Sequence, residues 1–265
     1  MQHGSFPLKR VSRLAVALLL LAGCSKPAVV PPVQVSPVIS DPAQPGGSST
    51  PSQGPLPVKA GGKAGSEAPA VQPVPDPEAI TVLVNKRFKL PADYRPDDLV
   101  EPRVAFIFQE KVEKRLMRKE AARALELLFA AAEKDGIHLA GVSGFRSYET
   151  QKVLFAHYVR TQGEEVARKY SAEPGHSEHQ TGLAMDLSGS TGACAVEDCF
   201  ADTPEAKWLA AHAAERGFII RYPRGKESIT GYNYEPWHLR YVGAAVSRQI
   251  AARGVTLEEY LGQAP

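Results

Sequence analysis

The sequence predicts an α+β domain built on a small antiparallel sheet, preceded by an export signal and a long unstructured tether. Three observations carry that reading. From residue 80 onward, helical and strand-like periodicities are mixed without the βαβ rhythm of a parallel sheet. Near the N-terminus, a short apolar run is flanked by basic and small residues and is too short to span a bilayer comfortably. Between the two, residues 25–79 hold 13 of the 22 prolines and no aromatic residue. With 265 residues, 43% of them apolar, the chain is long enough to bury a substantial core.

The first segment covers residues 1–23. Lys9, Arg10 and Arg13 precede an apolar stretch from Leu14 to Ala22, and Gly23-Cys24 closes it. That order marks an export signal. Leu21-Ala22-Gly23-Cys24 also resembles the lipobox of bacterial lipoproteins, which implies cleavage before Cys24 and lipidation of its thiol. Two or more acyl chains would then anchor the protein firmly on the outer side of a membrane, as an extracytoplasmic lipoprotein. The second segment, residues 24–79, cannot bury enough apolar area to offset its ordering entropy, so it reads as a disordered tether with polyproline-II character. If fully flexible it would have a root-mean-square reach of about 40 Å.

The formal charge of +2 is a property of the targeting segment. The signal carries three cations, and the tether carries three cations and four acids. Residues 80–265 are left with 25 positive and 25 negative side chains. Such a balance provides no electrostatic footprint for nucleic acid.

Within residues 80–265, the spacing of Val112, Leu116, Leu125, Leu128, Phe129 and Ala132 predicts a helix over 110–134, with Gly136 as its stop. A strand follows over 137–145, then a helix over 147–161 with Ser147 as N-cap. Leu183 to Ser188 reads as a strand. Thr203-Pro204-Glu205 opens another helix, which Gly217 ends. Strands over 218–222 and 237–242 and helices over 244–253 and 257–261 complete the chain.

Three stretches concentrate the chemistry. In Pro174 to Asp186, alternation along the strand puts Leu183, Met185 and Leu187 on a core face and Asp186 on the other, with His179 in the turn before it. In Glu235 to Gly243, His238 lies opposite the face of Trp237, Leu239 and Tyr241. Two histidines and an aspartate suit a catalytic zinc, which takes three protein ligands and keeps a position for water, with Glu235 as proton acceptor. Spacing alone supports ordinary structural residues equally well. The third stretch, Val142 to Tyr148, places Arg146 near a helix N-terminus, where a guanidinium holds carboxylates well. Cys194 and Cys199 flank a four-residue loop. In an exported protein they are expected to pair as a disulfide, and a cysteine metal site lacks its second pair. No H-E-x-x-H, G-x-S-x-G or S-x-x-K motif is present.

Taken together, SGFRSY, PGHSEHQTGLAMD and EPWHLRYVG, in this order, resemble the VanY-type D-alanyl-D-alanine carboxypeptidases. The upstream LVNKRFKLPADY resembles the segment that leads into that domain. The resemblance covers roughly residues 80–253 and implies the Hedgehog/D,D-peptidase fold. It implies zinc bound by His179, Asp186 and His238, Glu235 as catalytic base and Arg146 as substrate contact, with Ser177 and Gln180 also touching the peptide. His176 is read as a cleft-lining position outside the ligand set. The implied substrates are peptidoglycan stem peptides, cleaved by a monomer that removes the terminal D-alanine. An L,D-carboxypeptidase acting on tetrapeptide stems would use the same machinery, and a non-catalytic wall-binding module would have no need of Glu235.

The lipobox reading makes the first prediction. Full-length protein expressed in a bacterial host should fractionate with membranes, and Cys24→Ser should shift it out of that fraction; identical fractionation of the two would refute lipidation at Cys24.

Overall fold

The computed structural model describes residues 70–265. The signal segment, Cys24 and the tether up to residue 69 lie outside the described residues. Among the described residues no helix is long and apolar enough to cross a membrane.

The folded part begins earlier than the composition suggests. Strand β1 (Gln72–Pro73) pairs in parallel with β2 (Phe88–Lys89). The Gln72 and Val74 amides donate to the carbonyls of Arg87 and Lys89, and Pro73, which has no N–H, falls between them. Val74 is buried. The end of the expected tether therefore belongs to the domain, because alternate donors survive its prolines.

Strand β3 (Leu99–Val100) pairs antiparallel with β4 (Met117–Arg118), and helix α1 (Lys119–Lys134) follows at once. The helix expected from residue 110 thus starts nine residues late. Glu113–Arg115 forms a single 3-10 turn, and Met117 and Arg118 are extended to meet their partner strand. Burial agrees: Val112 is exposed, whereas Leu125, Leu128 and Ala132 are fully buried.

The central sheet consists of β5 (Leu139–Ser143), β6 (Ala184–Gly189), β7 (Phe218–Ile220) and β8 (His238–Tyr241), ordered β5-β6-β8-β7 and antiparallel throughout. After β5 comes α2 (Tyr148–Gln162), with the Ser147 hydroxyl accepting from the Thr150 amide as its N-cap. A short α3 (Glu164–Tyr170), not evident from the periodicity, follows Gly163. Helix α4 (Pro204–His212) is capped by Thr203 and starts on its proline, as the local signals predict. It passes into a 3-10 turn that ends at Gly217. Between β7 and β8 sits α5 (Glu227–Thr230); α6 (Ala244–Arg253) and α7 (Leu257–Tyr260) close the chain, the last with a Thr256–Glu259 capping box.

Leu125 and Leu128 of α1 join Leu183, Met185, Leu187, Phe218 and Leu239 of the sheet region in one core with no exposed surface. That core covers one side of β6 and β8 and leaves Asp186 and His238 to the other.

The late start of α1 can be tested by two truncations measured by denaturant unfolding. Leu128→Ala should cost about 2–5 kcal/mol, whereas Val112→Ala should stay within about 0.5 kcal/mol. A comparable loss at Val112 would restore the longer helix.

Candidate active site

Antiparallel pairing of β6 with β8 sets Asp186 directly opposite His238. Cross-strand partners share a face, so the carboxylate and imidazole meet: Oδ1 of Asp186 lies 3.0 Å from Nδ1 of His238. The other carboxylate oxygen lies 3.3 Å from Nε2 of His179. His179 arrives on a 3-10 turn, Glu178–Thr181, which ends at Gly182 with φ +68°. A Cβ there would be 2.8 Å from the tip of the Leu99 side chain, which can shift, so the left-handed backbone is what favours glycine.

A second glycine orients His179. The Gly144 carbonyl lies 2.7 Å from Nδ1 of His179, and a Cβ on Gly144 would stand 2.5 Å from the Leu116 carbonyl oxygen. Only glycine lets the SGFR backbone approach this closely. Since a carbonyl only accepts, Nδ1 carries the proton and Nε2 presents its lone pair toward Asp186.

These three residues fit a divalent cation. Their donor atoms lie within 4.8 Å of one another. The Asp186 carboxylate bridges the two rings, with Oδ2 3.3 Å from His179 Nε2 and Oδ1 3.0 Å from His238 Nδ1. Two imidazoles and one carboxylate form a borderline-soft donor set of the kind that zinc accepts. Burial alone would raise the Asp186 pKa, but His179 and His238 hold it well below the carboxylate range. Burial likewise opposes charge on His238, yet its hydrogen bond to Asp186 and the nearby Glu178 carboxylate outweigh that, and without a cation its pKa is pushed up to about 10.

Glu235 sits at the turn into β8, its amide bonded to the Tyr222 carbonyl and its Oε2 3.7 Å from Nδ1 of His238. Burial pushes its pKa up to about 7, opposed by His238 and reinforced by Asp186 and Glu178. A carboxyl tuned to that range exchanges protons readily near neutrality. Arg146, half-buried, points into the same cleft and donates to Gln151 Oε1 at 2.9 Å and Ser143 Oγ at 3.1 Å. Two of its five N–H groups are thereby used to aim it, and three remain. Desolvation lowers its pKa, while Asp186, Glu113 and Glu235 act in the opposite direction.

The cleft has a volume of about 140 Å³. Arg146, Ser177, His179, Asp186, Glu235 and His238 all line it, so the structure gathers three distant stretches around one cavity. Its remaining walls were not legible in the sequence. Leu154 and Tyr158 come from α2, Tyr222 and Tyr232 flank α5, and Val196 is displayed by the loop that the Cys194–Cys199 disulfide closes.

Two sequence-derived roles change. Gln180 does not line the cleft; its amide donates to the carbonyls of Pro91 and Tyr94, both at 3.0 Å, and so fastens the segment leading into the domain. The 3-10 turn explains this, since it rotates residue 180 away from residue 179. His176 is also outside the cleft wall, buried with its Nδ1 against the Asn85 carbonyl at 2.7 Å. Glu178, which no sequence signal singles out, proves to be fully buried beside His238, with Arg221 and Arg240 each 2.7 Å from its Oε1.

Comparison with known proteins agrees with this geometry. A family model for D-alanyl-D-alanine carboxypeptidase, VanY, matches residues 114–244. YodJ of Bacillus subtilis (strain 168), which carries a carboxypeptidase name, is 51% identical over 190 residues, covering 72% of this chain and 70% of its own. Among solved structures, the LD-carboxypeptidase LdcB is 50% identical with a TM-score of 0.70, over 74% of this chain and 91% of the other. A variant of the vancomycin-resistance D,D-pentapeptidase VanY from a VanB-type cassette, solved with Zn(II), is 32% identical with a TM-score of 0.56, over 68% and 98%.

The relocation of Gln180 has a measurable consequence. Gln180→Ala should lower unfolding free energy by about 1–3 kcal/mol through the carbonyls left unpaired, with KM for a peptide substrate unchanged. A stable variant with raised KM would return Gln180 to the cleft.

Proposed function

The chain belongs to the VanY D-alanyl-D-alanine carboxypeptidase family, and on that premise we propose that it is a zinc-dependent carboxypeptidase removing the C-terminal D-alanine from peptidoglycan stem peptides. The observation that carries the reading is the buried Asp186 carboxylate shared by His179 and His238, with Glu235 and Arg146 opening onto the same cleft. Zinc held by His179, Asp186 and His238 would supply a Lewis acid that polarises the scissile carbonyl and makes water a better nucleophile near neutrality.

The chain's own residues do the rest. Arg146 offers its free N–H groups to the terminal carboxylate of the peptide, in paired charge-assisted bonds that an amide cannot match. That contact sets the register, so the bond cleaved is the last one. Glu235 Oε2 takes a proton from the attacking water and returns it to the departing amine, a role suited to a carboxyl whose pKa sits near 7. Ser177, buried in the wall of the cleft, is placed to meet the peptide backbone. The lipobox supports a further part of the reading: a monomeric enzyme anchored through Cys24 on the outer face of a membrane, reaching the wall on its proline-rich tether.

A second reading, L,D-carboxypeptidase activity on tetrapeptide stems, is favoured by one observation. Identity to LdcB is 50%, against 32% to the D,D-pentapeptidase. Both reactions would use the residues above, and they differ in the chirality that the apolar walls accept on the acyl side. Assaying the purified protein on pentapeptide and tetrapeptide stems, with and without chelator, decides between them; chelator-insensitive hydrolysis would refute the metal reading.

Two substitutions test the assigned roles. Glu235→Gln keeps shape and metal ligands, so zinc should stay bound while kcat falls roughly 10²–10⁴-fold; near-normal turnover would place the base elsewhere. Arg146→Ala removes a charge-assisted pair of about 1.5–3 kcal/mol, which corresponds to roughly a 10- to 150-fold loss in kcat/KM. The parent should reject a C-terminally amidated peptide and the variant should barely distinguish acid from amide. Equal cleavage of both peptides by the parent would indicate an endopeptidase.

A further inference from the structure

We propose that Glu178 is a positioning residue for the metal centre: it fixes which nitrogen of His238 faces the ion, and it is itself held by a buried ion network reaching residues Asn85 and Glu258. This rests on the reading of His179, Asp186 and His238 as metal ligands.

The argument starts from two unpaired atoms. Oε2 of Glu178 and Nε2 of His238 are both fully enclosed and make no regular hydrogen bond. They face each other at 3.5 Å. A buried polar atom without a partner is costly, and these two are complementary, one an acceptor and the other a ring nitrogen able to donate. A carboxylate oxygen can only accept, so Nε2 must carry the proton. Nδ1, on the other edge of the ring, lies 3.0 Å from Asp186 and 3.7 Å from Glu235, so it faces the ligand gap and is the nitrogen that would give up its proton to a cation. His238 is thereby set in the tautomer and ring orientation that a ligand needs, and an anionic acceptor behind the ring makes its donor nitrogen more basic. His179 is treated the same way by a different acceptor, the Gly144 carbonyl.

Glu178 can do this only if its carboxylate cannot turn away. Its other oxygen, Oε1, receives Arg221 Nε and Arg240 Nη1, each at 2.7 Å. Arg221 is a fork into Glu258, at 2.6 and 2.9 Å, and Asn85 donates to the same Glu258 at 3.0 Å. Arg240 also donates to the Ile80 and Val82 carbonyls. Glu178, Arg221, Arg240 and Glu258 are all buried, and two cations face two anions, so these four residues carry no net charge. A buried pair of this kind adds little stability over an apolar replacement, which makes orientation the better account of why it is there. Asn85 and Glu258 both lie outside residues 114–244, the span matched by the family model. Chain on either side of that span therefore completes the support of the metal centre.

The test reads the metal and the imidazole rather than turnover. Nitrogen-15 histidine spectra of the zinc-loaded full-length protein should show His238 protonated at Nε2 and bound through Nδ1. Zinc bound through Nε2 would overturn the role of Glu178, whereas no zinc at the three residues would overturn the reading of the site itself. Competition with a chelator should show zinc held roughly 10- to 100-fold more weakly by Glu178→Gln, and a smaller loss in the same direction for Glu258→Gln. Leu128→Ala, destabilised in the core away from the network, should keep its zinc affinity. A folded Glu178→Gln with parental affinity, or an equal loss in Leu128→Ala, would overturn the proposal. If Glu178→Gln does not fold, the tautomer of the parent protein decides.

Discussion

A carboxylate without solvent must have partners, and in this protein that constraint falls on Asp186. Its side chain is buried on the open face of β6, where an isolated charge would cost many kcal/mol. The partners are His238, supplied by the register of β8, and His179, supplied by the turn that feeds β6. Everything else near the cleft serves this arrangement. The glycine at 182 turns the chain, the glycine at 144 lets a carbonyl reach His179, and the leucine face of β6 keeps the strand fixed from below. The result is three potential donor groups gathered around one gap, an arrangement that fits a cation.

The same scaffold separates two kinds of charge. On the far side of His238, Glu178, Arg221, Arg240 and Glu258 are sealed in and mutually compensated. On the near side, Glu235 and Arg146 keep free valences toward the cleft. Burial acts on both groups but with different outcomes. Where arginines are adjacent, Glu178 remains ionised despite complete desolvation. Where burial is only partly offset by His238 and Arg146, and Asp186 and Glu178 add to it, Glu235 is pushed up to about 7. One carboxyl is thereby held ionised and the other is brought near neutrality, a division set by surroundings and not by residue type.

Local signals were reliable where a single side chain meets its own backbone. Ser147 and Thr203 cap the helices they precede, and Gly217 ends the turn after α4. They failed where a distant strand intervenes. Residues 110–118 have a helical spacing of apolar side chains, yet Leu99 and Val100 claim Met117 and Arg118 as strand partners. Residues 72–74 look like more of a proline tether, yet Arg87 and Lys89 offer carbonyls at the right spacing. Gln180 and Glu178 fall on either side of His179, and only the pitch of the 3-10 turn sends one to the Pro91–Tyr94 segment and the other beneath His238.

The sequence by itself determined which side chains are available: two histidines, an aspartate, Glu235 and Arg146, and the period-2 pattern that puts Asp186 and His238 away from the apolar face. Those are properties of residues and of their immediate neighbours, and local rules reach them. The tertiary structure alone decided which strands are adjacent, hence that residues 179, 186 and 238 share one gap, that Arg221 and Glu258 stand behind it, and that α2 and the disulfide-closed loop wall it. Sheet order and register depend on closing loops of tens of residues against the competing demand of every buried face. No short stretch of sequence contains that balance.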